Sequence, residues 1–298
     1  MKTSPPGVWD RAGSPVRRTV PIALLLFLAP PAQAVAGRTE TLSETLELGP
    51  QKDLWVEVHS DVGEVTVRPS RRDRSGDALV VFDEKKLRAD LDFDPEMGEL
   101  FIDLDRRSWF RSLDTDEDEA RIEIEVPRGA ELHLDVEMGA GEMDLDLASL
   151  AIPDLRVKLK AGECAVDLGE ERRDRGDRME LSVKVGELTV EGLGSRSFRE
   201  ARISCGIGEL EIDFSGEDGY DGRVEISQKI GEIRLTLPQD PGVGLEVSGA
   251  GFLSDVDLPG NLMESGDRYV SENYDRASRH LELEVSAGIG EVSVSWAR

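Results

Sequence analysis

From residue 141 onward, apolar residues alternate with polar ones, and the alternation changes phase at each Gly-Glu step. Downstream of each glycine the apolar positions fall at plus two, plus four and often plus six: Met143, Leu145, Leu147; Leu210, Ile212, Phe214; Ile233, Leu235, Leu237; Val292, Val294, Trp296. Upstream they fall at minus one, minus three and minus five: Ala161, Leu159, Val157; Val185, Val183, Leu181; Ile207, Cys205, Ile203. Strict alternation predicts strands with one buried face. No long stretch has helical spacing, so the class is all-β. A one-residue slip would turn a straight strand's apolar face to water. The backbone therefore bends at the dipeptide, where glycine accepts positive φ and the glutamate faces solvent.

Gly-Glu occurs at Gly63, Gly98, Gly141, Gly162, Gly186, Gly208, Gly231 and Gly290, with a degenerate GAGF at 249–252. Between 141 and 251 the steps are 21, 24, 22, 23 and 20 residues, a period near 22. Outside that block they are 35, 43 and 39, which implies longer loops or unmarked strands. Two architectures satisfy the parity. One is a single-domain β-solenoid of two-strand repeats with Gly-Glu corners, favoured by the regular period. The alternative is an antiparallel β-meander whose Gly-Glu pairs form type II′ hairpins. Charged segments such as EERRDRGDR at 170 and EGLGSRSFRE at 191 are expected to close the units.

These GAGE, KAGE, KVGE, GIGE and KIGE corners between alternating strands resemble the bacterial putative-adhesin family of β-strand-repeat proteins, related to toastrack domains. The resemblance covers most of the chain from about residue 50 and implies a β-helix-like fold and a place in the bacterial envelope. It implies no general catalytic residues. The chain has Glu where such repeats often have Asp, and it lacks the membrane segments that accompany toastracks in stress-sensing proteins.

Residues 1–36 read as a signal peptide: Lys2, Arg11, Arg17 and Arg18, then apolar PIALLLFLA at 21–29, then small-residue cleavage patterns at Ala32-Gln33-Ala34 and Ala34-Val35-Ala36. The apolar run is shorter than the ~20 residues that span a bilayer. Residues 37–298 form the expected strand-repeat domain, exported to the periplasm, cell surface or medium, with no transmembrane helix in the mature chain. A membrane barrel would want strands of ~9–11 residues and aromatic girdles, and aromatics make up only 5% here. The net charge of −26 becomes about −29 once four basic residues and one acidic residue leave with the signal. That balance disfavours nucleic acid as a partner.

Candidate chemistry is sparse. The histidines His59, His133 and His280 lie in different units without an accompanying motif, and no nucleophile elbow, HExxH or P-loop occurs. The expectation is no enzyme and no cofactor. The cation considered is Ca²⁺, on Asp114, Asp116 and Asp118 of DTDEDE, or on a ladder of corner glutamates. The DTDEDE run departs from an EF-hand loop, because Glu119 stands where glycine is needed. Stacked glutamates ~4.8 Å apart repel by about 0.9 kcal/mol in water. Lys160, Lys184 and Lys229, two residues before their glycines, are candidate neutralisers. Cys164 and Cys205 fall on core phases in units separated by one intervening unit, an offset of about 9.6 Å by strand spacing, beyond disulfide reach. They are expected to be buried free thiols. Trp109, Phe110 and Arg111 sit among further arginines as a candidate interaction surface. The insertion at 261–280 reads as a loop. The functional expectation is an adhesin-like binding scaffold for an envelope protein or polysaccharide. The alternatives are a carbohydrate-active β-helix enzyme and a self-polymerising envelope scaffold.

Overall fold

Seven long strands dominate the structure: β2 (Asp53–Pro69), β7 (Glu131–Asp146), β8 (Ala151–Asp167), β9 (Arg175–Glu191), β10 (Ser197–Asp213), β11 (Gly222–Leu237) and β16 (His280–Trp296). The coordinates are a computed structural model that describes residues 39–50, 52–107, 120–169, 175–216, 220–249 and 254–297. The seven strands stack in parallel, in the order β2-β7-β8-β9-β10-β11-β16. Each glycine aligns with the next glycine and each corner glutamate with the next glutamate, as in Gly186↔Gly208↔Gly231. This is the stacked, solenoid-like arrangement; adjacent units do not form antiparallel hairpins.

The hydrogen-bonded ladder runs on through each corner, so one unit is one bent strand rather than two. Corner glycines take φ between +123° and +146°. The bend divides each strand into an upstream and a downstream arm. Leu181, Val183, Ile203 and Cys205 from upstream arms join Leu188, Val190, Leu210 and Ile212 from downstream arms in one apolar core. One expectation is corrected here. At four corners the residue before the glycine does not face the core: Val185, Ile207, Ile230 and Ile289 are 44–49% exposed, whereas Val62, before Gly63, is buried. At those corners the buried phase jumps from minus three to plus two, so the step takes four consecutive residues, the corner glycine among them, out of the core.

The end coils are assembled from shorter pieces. Beside β2, β5 (Glu99–Arg106) pairs with the upstream arm and β6 (Arg121–Val126) with the downstream arm. Beside β16, β12 (Gly242–Gly249) and β13 (Ser254–Asp257) play the same two parts, so the corner of the degenerate GAGF copy lies outside the described residues. Gly98 is not a corner. It sits at φ +70° in the turn between β4 (Leu87–Asp94) and β5, which pair antiparallel.

The stacking order departs from chain order at both ends: β2 lies between β5/β6 and β7, and β16 lies between β11 and β12. Each of these full-length strands thereby gains a partner on both sides. Antiparallel strands cap the stack. These are β1 (Thr39–Glu47) with β3 (Ser75–Asp83), and β14 (Leu262–Ser265) with β15 (Arg268–Ser271). The 261–280 insertion is thus a hairpin paired to β12, with a short 3₁₀ turn at Tyr274–Arg276.

The closing segment at 191–200 is more buried than its charge suggests. Leu193, Ser195 and Arg196 are buried. Arg196 Nε donates to Leu168 O, Nη1 to Leu150 O, and Nη2 to Leu147 O and Ala148 O, all at 2.9–3.0 Å. Buried carbonyls of two preceding connections are thereby satisfied by one side chain. Tyr220, fully buried, spans two coils in the same way, with its hydroxyl 3.2 Å from both Phe198 N and Phe198 O.

A candidate binding groove on the outer face

The outer face of the upstream arms is built from columns of like-placed side chains. In β2, Leu54, Val56 and Val58 are buried, so Trp55 takes the outward phase and is half exposed. Register sets Trp55 opposite His133 on one side and Glu99 on the other, and sets Phe101 opposite Glu57. The indole and imidazole stack at 3.8 Å with an interplanar angle of 7°. His133 Nδ1 lies 2.9 Å from Asp154 Oδ2, and Nε2 lies 3.4 Å from Asp53 Oδ1. A bulge directs Asp154 there: the β7–β8 register shifts between Glu131 and His133, opposite Ile152-Pro153. An extra residue at such a point re-aims the side chains beyond it, and proline is tolerated there. Trp55, Phe101, His133, Asp135, Asp154 and Arg156 are among the residues lining a groove of about 600 Å³.

Its polar groups are mostly paired with one another. Arg156 reaches Asp135 at 2.9 Å, Glu137 at 3.6 Å and Glu180 at 3.8 Å. Arg178 approaches Glu200 at 4.0 Å. Further along the stack Arg202 meets Glu225 at 3.0 Å and Arg223 meets Glu284 at 2.6 Å. From Asp135 through Arg156, Glu180 and Arg202 to Glu225 the sign alternates along the column, which offsets the self-repulsion that a uniform run would carry; exposed pairs of this kind contribute about 0.2–1 kcal/mol each. Lys158, 3.2 Å from Glu137, holds that carboxyl below the usual carboxylate range, chiefly through the hydrogen bond. In later coils serines replace charges in the next column: Ser204 donates to Ser182 at 3.0 Å, and Ser248 and Ser286 are 3.0 Å apart.

Residues 35–191, just over half of the sequence, match the family described as the N-terminal domain of toast_rack, DUF2154. The chain belongs to this family. Among solved structures, it is similar to a "putative cell adhesion protein" of Clostridium sporogenes, with 14% identity, TM-score 0.40, and coverage of 87% of this chain and 100% of the other. It is also similar to a "putative lipid binding protein" of Parabacteroides distasonis, with 10% identity, TM-score 0.36, and coverage of 88% and 98%. A third is a "putative adhesin" of Parabacteroides merdae, with 12% identity, TM-score 0.28, and coverage of 88% and 98%. Comparison with curated proteins finds no match.

The sequence-derived sites of this toast-rack chain fare unevenly. Trp109, Phe110, Arg111, Asp114, Asp116 and Asp118 all lie outside the described residues. Among the described residues, the corner glutamates included, no three His, Cys, Asp or Glu side chains converge as metal ligands. Nor do the corner lysines neutralise them among the described residues. Arg234 does so instead, at 3.0 Å from Glu209 and 2.5 Å from Glu232. Cys164 and Cys205 are buried free thiols on either side of β9, and burial pushes the Cys164 thiol up to about 12.

No sequence motif marks the groove, because its residues are spread from Trp55 to Arg178 and meet only through strand register. One signal was present: an indole on the polar phase of DLWVEV.

Proposed function

We propose that this protein is exported to the bacterial envelope, in the periplasm or at the cell surface, and serves there as a non-enzymatic, adhesin-like binding scaffold. Its partner is an envelope protein or polysaccharide. The observation that carries this reading is the groove over Trp55 and His133: a rigid, half-exposed aromatic shelf ringed by mutually paired charges. Convergent polar groups around a few apolar ones make a recognition site. The signal-like residues 1–36 support export, and among the described residues no helix is long and apolar enough to cross a membrane. Catalysis by a thiol is opposed by the burial of Cys164 and Cys205. Growth into filaments is opposed by the edges. Edge strand β1 presents Glu40, Glu44 and Glu47, and β4 presents Asp90, Asp92 and Asp94, all exposed; charged edges of this kind discourage strand addition.

Two measurements test the proposal together. Labelled protein should be retained on isolated envelopes of the source bacterium and released by excess unlabelled protein. Incubation with bacterial polysaccharides, with and without Ca²⁺, should yield no new reducing ends. Sustained turnover, or no retention on envelopes, defeats the reading.

A further inference from the structure

We propose that the groove over Trp55 and His133 is a carbohydrate-binding site that takes a neutral glycan chain along its length. The assignment names the ligand class of the binding scaffold and rests on that reading. The groove crosses β5, β2, β7, β8 and β9, four strand spacings or ~19 Å, which suits an extended chain better than a compact small molecule.

Two rings rise from positions where alternation calls for polar residues, Trp55 and Phe101. A sugar ring presents a face of C–H groups that packs on an aromatic ring, and an equator of hydroxyls. Trp55 is held for that role. His133 lies parallel to it, and Asp154 and Asp53 hold His133. A ligand that meets a ring already fixed in place loses less entropy on binding. Around the rings stand planar hydrogen-bonding groups suited to vicinal hydroxyls: Glu57, Glu99, Asp135 and Arg156. Asp135 accepts from Arg156 through Oδ2, which fixes the carboxylate, while its Oδ1 is buried beneath the groove surface without a hydrogen-bond partner among the described residues.

Other ligand classes fit less well. A phosphate or nucleotide would need cationic excess, but both arginines are already paired with carboxylates. An acyl chain would need a continuous apolar lining, yet Val56, Leu100, Leu134 and Leu155 along the groove turn their side chains into the core. A peptide added as a strand would need a free edge, and every strand under the groove is paired on both sides. A quaternary ammonium ion could also use the ring face, and the choline arm of the test separates that class from a glycan.

The test titrates purified full-length protein, followed by tryptophan fluorescence and calorimetry, with cello-, laminari-, malto- and chitohexaose, isolated peptidoglycan, and choline. At least one glycan should saturate the signal. Trp55→Ala should weaken that affinity at least tenfold, and Trp55→Phe should restore part of it. Ile207→Ser, on the corner ridge away from the groove, should leave it unchanged. Circular dichroism of each variant controls for folding, which an outward-facing position should preserve. The assignment is overturned if no glycan saturates, if Trp55→Ala binds as the parent does, or if choline alone saturates. Envelope retention without glycan binding removes this assignment and leaves the scaffold standing. Loss of both removes both.

Discussion

Gly208→Ala is the sharpest test of the corner. The residue sits at φ +140°, and an ideal Cβ built there would lie 1.8 Å from the Gly186 carbonyl oxygen, where real Cβ contacts are essentially never under 3.0 Å. Two costs combine. The backbone conformation is worth about 1–3 kcal/mol against a non-glycine residue. Forcing the adjacent coil apart adds an overpacking cost of about 1–3 kcal/mol. The expected destabilisation is therefore about 2–6 kcal/mol. Gly206→Ala separates the terms: its backbone lies outside the left-handed region, yet its Cβ would crowd the Lys184 carbonyl oxygen, so it should lose only the overpacking share, about 1–3 kcal/mol. Gly260→Ala meets nothing within 4 Å and should stay within about 0.5 kcal/mol of the parent. Urea titration followed by far-UV circular dichroism ranks the three. Alkylation of Cys205, whose sulfur lies 3.7 Å from Gly186 O, reports whether the lesion opens that corner. Gly208→Ala unfolding at the parental midpoint, or Gly260→Ala losing as much as Gly208→Ala, would refute the stacked-glycine argument.

Four further outcomes are expected. At pH 8 neither cysteine should react with a water-soluble disulfide reagent until urea unfolds the chain; prompt labelling of Cys164 would contradict its burial. Burial raises the Cys164 thiol from 9.0 to about 12 and the Tyr220 phenol from 10.0 to about 12. The folded state therefore holds these protons more tightly than the unfolded state, and stability is complete below about pH 9 and falls as pH climbs toward 12; a urea midpoint that rises over that range would contradict the sign. Arg196→Met strips donors from the carbonyls of Leu147, Ala148, Leu150 and Leu168 and should cost at least about 3 kcal/mol by chemical denaturation, since each stranded buried acceptor costs about 1–3 kcal/mol. Leu210→Ala, in the core, should cost about 2–5 kcal/mol, whereas Ile207→Ser on the ridge should change stability by less than about 0.5 kcal/mol; equal losses would return the ridge to the core.

Alternation and its phase slip were enough to read the strand class, the period and the bend from the residues alone. Each depends on neighbours within about ten residues, and burial imposes a strict period of two on them. The same signal carried the core assignment of Cys164 and Cys205. It failed one residue before several corner glycines, because Val185 and Ile207 carry the right chemistry for a core, and only the turn geometry decides that they point outward. Gly98 failed for a related reason: a Gly-Glu pair in a β4–β5 turn is written with the same letters as one at a corner.

Tertiary structure alone decided the stacking order and the groove. β16 enters between β11 and β12 because a full-length alternating strand satisfies more backbone groups with partners on both sides than at an edge. Nothing local in its residues reports where the vacant neighbours lie. Trp55 and His133 touch across 78 positions of chain, and Asp154 reaches them only because a bulge at Pro153 shifts the register. Local periodicity records which face a side chain takes, while register between distant strands determines which side chains share that face.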